Sequence, residues 1–103
     1  MITITGTVES SGKYLVTGIP VNATTPAVLK MSFENNTSGT NLSLVAGTTA
    51  EFTSGTGGTL LSDSGGPGFI FLTVIEAQKL NGHVIFVRRS VGTADSKFTL
   101  VVD

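Results

Sequence analysis

The side chains nearest in kind to a reactive set are the hydroxyl of Ser64, inside Ser62-Asp63-Ser64-Gly65-Gly66-Pro67, and the ring of His83, the one histidine in 103 residues. A serine hydroxyl is a weak nucleophile until a base lies within hydrogen-bond reach and a third group orients that base. His83 follows the turn dipeptide Asn81-Gly82 and has no histidine companion, and the chain has no cysteine. A metal site needs three or four ligands at compatible spacing, so a solvated histidine at the start of a strand accounts for this residue. Asp63, Asp95 and Asp103 lie in or beside turns rich in Gly, Ser and Thr. Asx-turn chemistry accounts for the first two, and no EF-hand spacing is present. Arg88 and Arg89 form the only basic pair; on a strand they point to opposite faces and make no single phosphate clamp. The expectation is no catalytic residue, no metal and no cofactor.

Residues 62–67 resemble the Gly-Asp-Ser-Gly-Gly-Pro signature around the nucleophile of chymotrypsin-like serine proteases, which implies Ser64 as that nucleophile. The resemblance covers six residues and departs from the family in three ways. Ser62 stands where the first glycine belongs, His83 follows the serine where that family places its histidine before it, and one domain of this length does not hold two barrels. The remaining reading is a tight turn whose glycines allow positive φ. Four Asn-x-Ser/Thr triplets begin at Asn22, Asn35, Asn36 and Asn41, as expected by chance where Asn, Ser and Thr are abundant. Trp is absent, Tyr14 is the one tyrosine, and the six phenylalanines fall on faces expected to be core. Stacking platforms for sugars or for single-stranded nucleic acid are therefore missing.

Net charge is -1 and only 13% of residues are charged, so no basic field exists to hold phosphates. Neither nucleic acid nor a membrane is an expected partner: no run approaches the ~18 apolar residues of a spanning helix. Met1-Ile2-Thr3-Ile4-Thr5 lacks the positive and apolar regions of a signal peptide, which predicts a chain made in a cytoplasm. Mean hydropathy is +0.34, and a free monomer of this size ordinarily carries a surface about one quarter to one third charged. Such a surface suits contact with other protein over much of its area.

Residues 1–103 read as one β domain, able to fold without staples. Residues 1–9 alternate, with Ile2, Ile4 and Val8 on one face, Thr3, Thr5, Thr7 and Glu9 on the other, and Gly6 as a bulge. Further strands are predicted over 13–17, 27–33, 41–45, 49–53, 83–89 and 97–103, with 41–53 forming a hairpin. Residues 21–26 read as a polar connection and 34–39 as a turn. Residues 54–68 read as a long loop with one short strand at Leu60-Leu61, and 77–82 as one helical turn. The run Phe69 to Ile75 has large side chains on both faces, Phe69, Phe71 and Ile75 against Ile70, Leu72 and Val74. That pattern predicts a central strand covered on both sides. No amphipathic helix is expected. The fold class is all-β: a small antiparallel β-sandwich of jelly-roll or immunoglobulin-like kind, with a small β-barrel as the alternative.

In composition and strand pattern, with no family motif, the whole chain resembles the minor structural proteins of tailed-phage virions, of the capsid decoration or cement type. That resemblance implies a non-enzymatic virion protein, made in the host cytoplasm, that stabilises a capsid shell as a symmetric homo-oligomer such as a trimer. The alternative is an adhesion, fibre or surface-array module at a cell surface, capturing its ligand with loop 54–68. The candidate interface is the N-terminal strand, Ile2, Thr3, Ile4 and Thr5, as an edge able to pair with a neighbour.

Overall fold

The computed structural model describes residues 1–21, 27–37 and 40–103, so the polar connection expected over 21–26 lies almost wholly outside the described residues. Eight strands follow in order: β1 (Ile2–Val8), β2 (Lys13–Val16), β3 (Val28–Asn35), β4 (Asn41–Gly47), β5 (Thr59–Leu60), β6 (Ile70–Glu76), β7 (Val84–Val91) and β8 (Ser96–Val102). Between β4 and β5 lies a short helix, α1 (Thr49–Ser54), and between β6 and β7 a 3-10 turn over Ala77–Leu80.

The strands pair as one long hairpin would, β1 with β8, β2 with β7, β3 with β6 and β4 with β5, all antiparallel. Rolling that hairpin adds the pairs β3 with β8 and β4 with β7. The result is two four-stranded sheets, β1-β8-β3-β6 and β2-β7-β4-β5, which is the topology of an eight-stranded jelly roll. The sandwich expected from the alternation is thus present.

Period-2 patterning sets the core between the sheets. Leu29, Met31 and Phe33 of β3 and Phe98, Leu100 and Val102 of β8 meet Leu42, Leu44 and Ala46 of β4 and Ile85 and Val87 of β7, all buried. A second, smaller apolar layer lies on the outer side of β4 and β7, where Val45 and Phe86 are also fully buried. Phe52 of α1 packs edge-on to Phe86 at 5.5 Å between ring centroids. A side chain at Gly58 would meet Val45 Cγ1 at 2.7 Å, so the loop after α1 lies flat on the sheet.

The doubly covered strands are therefore β4 and β7, and the expectation for residues 69–75 is corrected. Among the described residues β6 is an edge strand, paired with β3 alone. Its inner residues Phe71, Thr73 and Ile75 are half-buried, while Ile70, Leu72 and Val74 face outward, 58%, 73% and 64% exposed. The expected hairpin over 41–53 is also replaced, because Thr48 starts a helix instead. Its hydroxyl accepts from Glu51 N (3.1 Å), and Glu51 Oε1 accepts from Thr48 N (2.8 Å). This capping box, with Gly55 in the left-handed conformation at the other end, fixes a helix too short to show an apolar period.

Two glycines serve close approach. Gly6 is no bulge, since β1 runs in unbroken register with β8 from Ile2 to Val8. A Cβ there would lie 2.7 Å from Tyr14 Cζ and 2.8 Å from Phe98 Cζ, and those rings meet edge to face. At Gly65 a Cβ would sit 2.0 Å from Phe69 Cγ. Of the three glycines in the turn before β6, only Gly68 has positive φ.

Candidate interaction surface

The described partner of the Ser64 hydroxyl is another hydroxyl. Ser64 Oγ hydrogen-bonds Ser90 Oγ, and the only described contact of the His83 ring is Nδ1 to Asn81 O, 3.0 Å. The neighbours of Ser64 are structural: Ser62 is buried and accepts from Leu44 N at 2.8 Å, while Gly65 exchanges two 3.0 Å backbone bonds with Leu42. The protease-like stretch is the seam that fastens the long loop to β4.

The two arginines point to opposite faces, as strand geometry requires, and each is bound to the chain's own backbone. Arg88 Nη1 donates to Gly57 O (2.9 Å), and Arg89 Nη2 donates to Val8 O (2.9 Å) and Glu9 O (3.0 Å). Among the described residues no three His, Cys, Asp or Glu side chains gather to hold a metal ion, and no helix is long and apolar enough to cross a membrane. Of the Asn-x-Ser/Thr triplets, the one at Asn22 begins outside the described residues. Asn35 is fully buried: Nδ2 donates to Thr40 O (3.0 Å) and Gly65 O (2.9 Å), and Oδ1 accepts from Thr37 N (3.0 Å).

What the fold does present is two open edges of one sheet. Ile2, Thr3, Ile4 and Thr5 lie together on the first of them, β1, with Thr3 and Thr5 exposed on the outer face and Ile4 packed against the core. This strand is no loose arm, being laddered to β8 along all seven residues. Beside it a shallow trough of about 390 Å³ is lined by Thr5, Thr7, Asn36, Lys97 and Thr99.

The second edge is β6, which the covered-strand reading of the sequence missed. Its outer row of Ile70, Leu72 and Val74 lies opposite Glu34, Ser32 and Lys30 of β3, with Glu76 opposite Val28. A second trough, of about 450 Å³, runs between Leu72, Val74 and Val101, with Lys30 and Asp103 at its side. The ends of the β3 pairing fix which backbone groups are free. Asn35 N donates to Phe69 O and Ala77 N to Ala27 O, so odd-numbered residues of β6 turn their amides and carbonyls toward β3. Those of Ile70, Leu72 and Val74 therefore point away from the sheet. A native edge is ordinarily blunted by charge, proline or a bulge; from Ile70 to Ile75 this one carries none of these.

No family model, curated protein or solved structure matches the chain.

Proposed function

We propose that this protein is a non-enzymatic assembly module, of the kind that decorates and cements the capsid shell of a tailed phage, working as a homo-oligomer in the virion. One observation carries the reading: an open edge strand, free of charge from Ile70 to Ile75, with an exposed apolar row, on a domain whose described residues gather no three His, Cys, Asp or Glu side chains. An apolar row of that length at a free edge is the signature of a protein contact, by strand addition or by burial of the row itself. The low charge of the chain points the same way. Jelly rolls serve in virus coats and in lectins, and the fold alone selects neither. We place the contact on the edges of the β1-β8-β3-β6 sheet and not on loop 54–68, because the exposed apolar row lies on that sheet, while Ser62 and Gly65 of the loop are tied to β4. Ile2, Thr3, Ile4 and Thr5 on β1 remain the first candidate contact and β6 is the second.

The test is co-sedimentation with purified tailed-phage heads stripped of their own decoration protein. The reading expects saturable binding at a fixed number of copies per head and a rise in the temperature at which the heads open. Absence of binding to any such shell at tens of micromolar protein overturns it.

A further inference from the structure

We infer that β6 pairs with β6 of a second copy about a two-fold axis through Leu72, joining two β1-β8-β3-β6 sheets into one eight-stranded sheet. This names the partner of one edge in the assembly reading above. The strand is self-complementary in this register. Antiparallel pairing centred on Leu72 sets Ile70 against Val74, Leu72 against Leu72 and Val74 against Ile70 across the axis. These are the residues whose backbone groups point to the free edge, so each pair exchanges two hydrogen bonds, about six in all.

Every position on the outer face then meets an apolar neighbour, and Phe71 meets Thr73 on the inner face. Glu76 falls opposite Gly68, so no like charges oppose each other. Shifting the centre by one residue sets Ile70 against Glu76 (to Thr73) or Val74 against Gly68 (to Phe71), and either shift breaks the row; the Leu72 register is therefore the one selected. A two-fold axis along the strands would give parallel pairing with each even residue level with its own copy, both turning their backbone groups inward, which a parallel ladder does not accept; an axis perpendicular to the sheet gives the antiparallel pairing.

Edge pairing covers the flanks of Ile70, Leu72 and Val74 and satisfies their backbone groups while the outer face of the joined sheet stays open, so the contact lies below the ~1,200 Å² at which stable interfaces begin, and the dimer is a weak one that dilution should dissociate. A two-fold contact closes at two copies, and a trimer would need another surface.

Sedimentation velocity from about 1 to 300 μM tests the pairing. The wild-type chain should move from 10.6 kDa to twice that mass, and Leu72→Lys, which sets two ammonium groups across the axis from an exposed position, should stay monomeric with an unchanged far-UV spectrum and melting temperature. The register has its own readout. The chain has no cysteine, and Leu72→Cys places two sulfurs across a pair with Cα atoms about 5.5 Å apart, within disulfide range, whereas Val74→Cys does not. Oxidation should cross-link the first variant and not the second. A wild-type chain monomeric at 300 μM, a three-copy mass, a dimer that survives Leu72→Lys, or cross-linking at Val74→Cys alone would each overturn the pairing. A monomer that still saturates phage heads removes this inference and leaves the shell-binding part of the proposed function standing; a dimer that binds no head does the reverse.

Discussion

Replacing Asn35 with Ala should be among the most damaging single changes in the chain, although it removes only a small amide. Asn35 is fully buried at the end of β3, where its amide ties that strand to the start of β4 through Thr40 and to the seam of the long loop through Gly65. Its carbonyl holds the amide of Thr37. Three hydrogen bonds at about 1 kcal/mol each are lost, and two carbonyls inside the fold lose their donor, at about 1–3 kcal/mol for each that water does not reach. A total of about 3 kcal/mol follows where water reaches both carbonyls and about 5–9 kcal/mol where it reaches neither, against a stability of about 5–15 kcal/mol for a domain of this length. Asn35→Asp keeps the shape but turns a carboxyl oxygen toward both carbonyls, so it should cost at least as much at neutral pH. Urea unfolding followed by far-UV circular dichroism is the assay, since the chain has no tryptophan. The expected result is a lower midpoint at constant m-value. A loss below about 1 kcal/mol for Asn35→Ala would refute the claim that this side chain fastens three segments together.

Two further predictions address the covered and open strands and the helix cap. Leu44→Ala, in β4, should cost about 2–5 kcal/mol, whereas Leu72→Ala on the outer face of β6 should cost about 0.5 kcal/mol or less; urea unfolding at low micromolar concentration compares them, and equal costs would restore β6 to the core. The carboxylate of Glu51 is held below its ordinary value of 4.5, first by the backbone N–H of Thr48 and next by that of Gly58. A depressed folded pKa gives stability that is fully present above pH 4.5 and is lost as pH falls through the lower folded value. Stability measured from pH 7 to 3 should therefore fall more steeply for the wild type than for Glu51→Gln, and identical slopes would contradict the cap.

Much of the sandwich was legible because strands buried on one face write their period into the sequence. Leu29, Met31 and Phe33, Leu42 and Leu44, and Phe98 and Leu100 alternate with Lys30, Ser32, Ser43 and Thr99, and all of these apolar residues face the core, as does Val102 beyond the apolar Val101. The exposed status of β6 was not legible, because periodicity reports which residues are apolar and not what lies above them. Ile70, Leu72 and Val74 carry the same pattern as a strand covered on both sides, such as β7. What separates the two is strand order, set by long-range pairing that no local window contains. The cover on β4 was hidden for a related reason: it is made by a six-residue helix and a glycine-rich loop, neither of which has a readable apolar period. Of the two open edges, β1 at Ile2 to Thr5 was legible as a terminal strand, while the apolar edge at β6 was disguised as core.

Residue-resolved hydrogen exchange of the β6 amides tests the central claim, that this strand is an open edge made for association. At about 1 μM, Phe71, Thr73 and Ile75 should be protected by β3, while Ile70, Leu72 and Val74 exchange freely. At 300 μM the same three even-numbered amides should slow as the partner strand arrives. Protection of Leu72 and Val74 in the dilute protein, or no slowing of them in the concentrated protein, would contradict it.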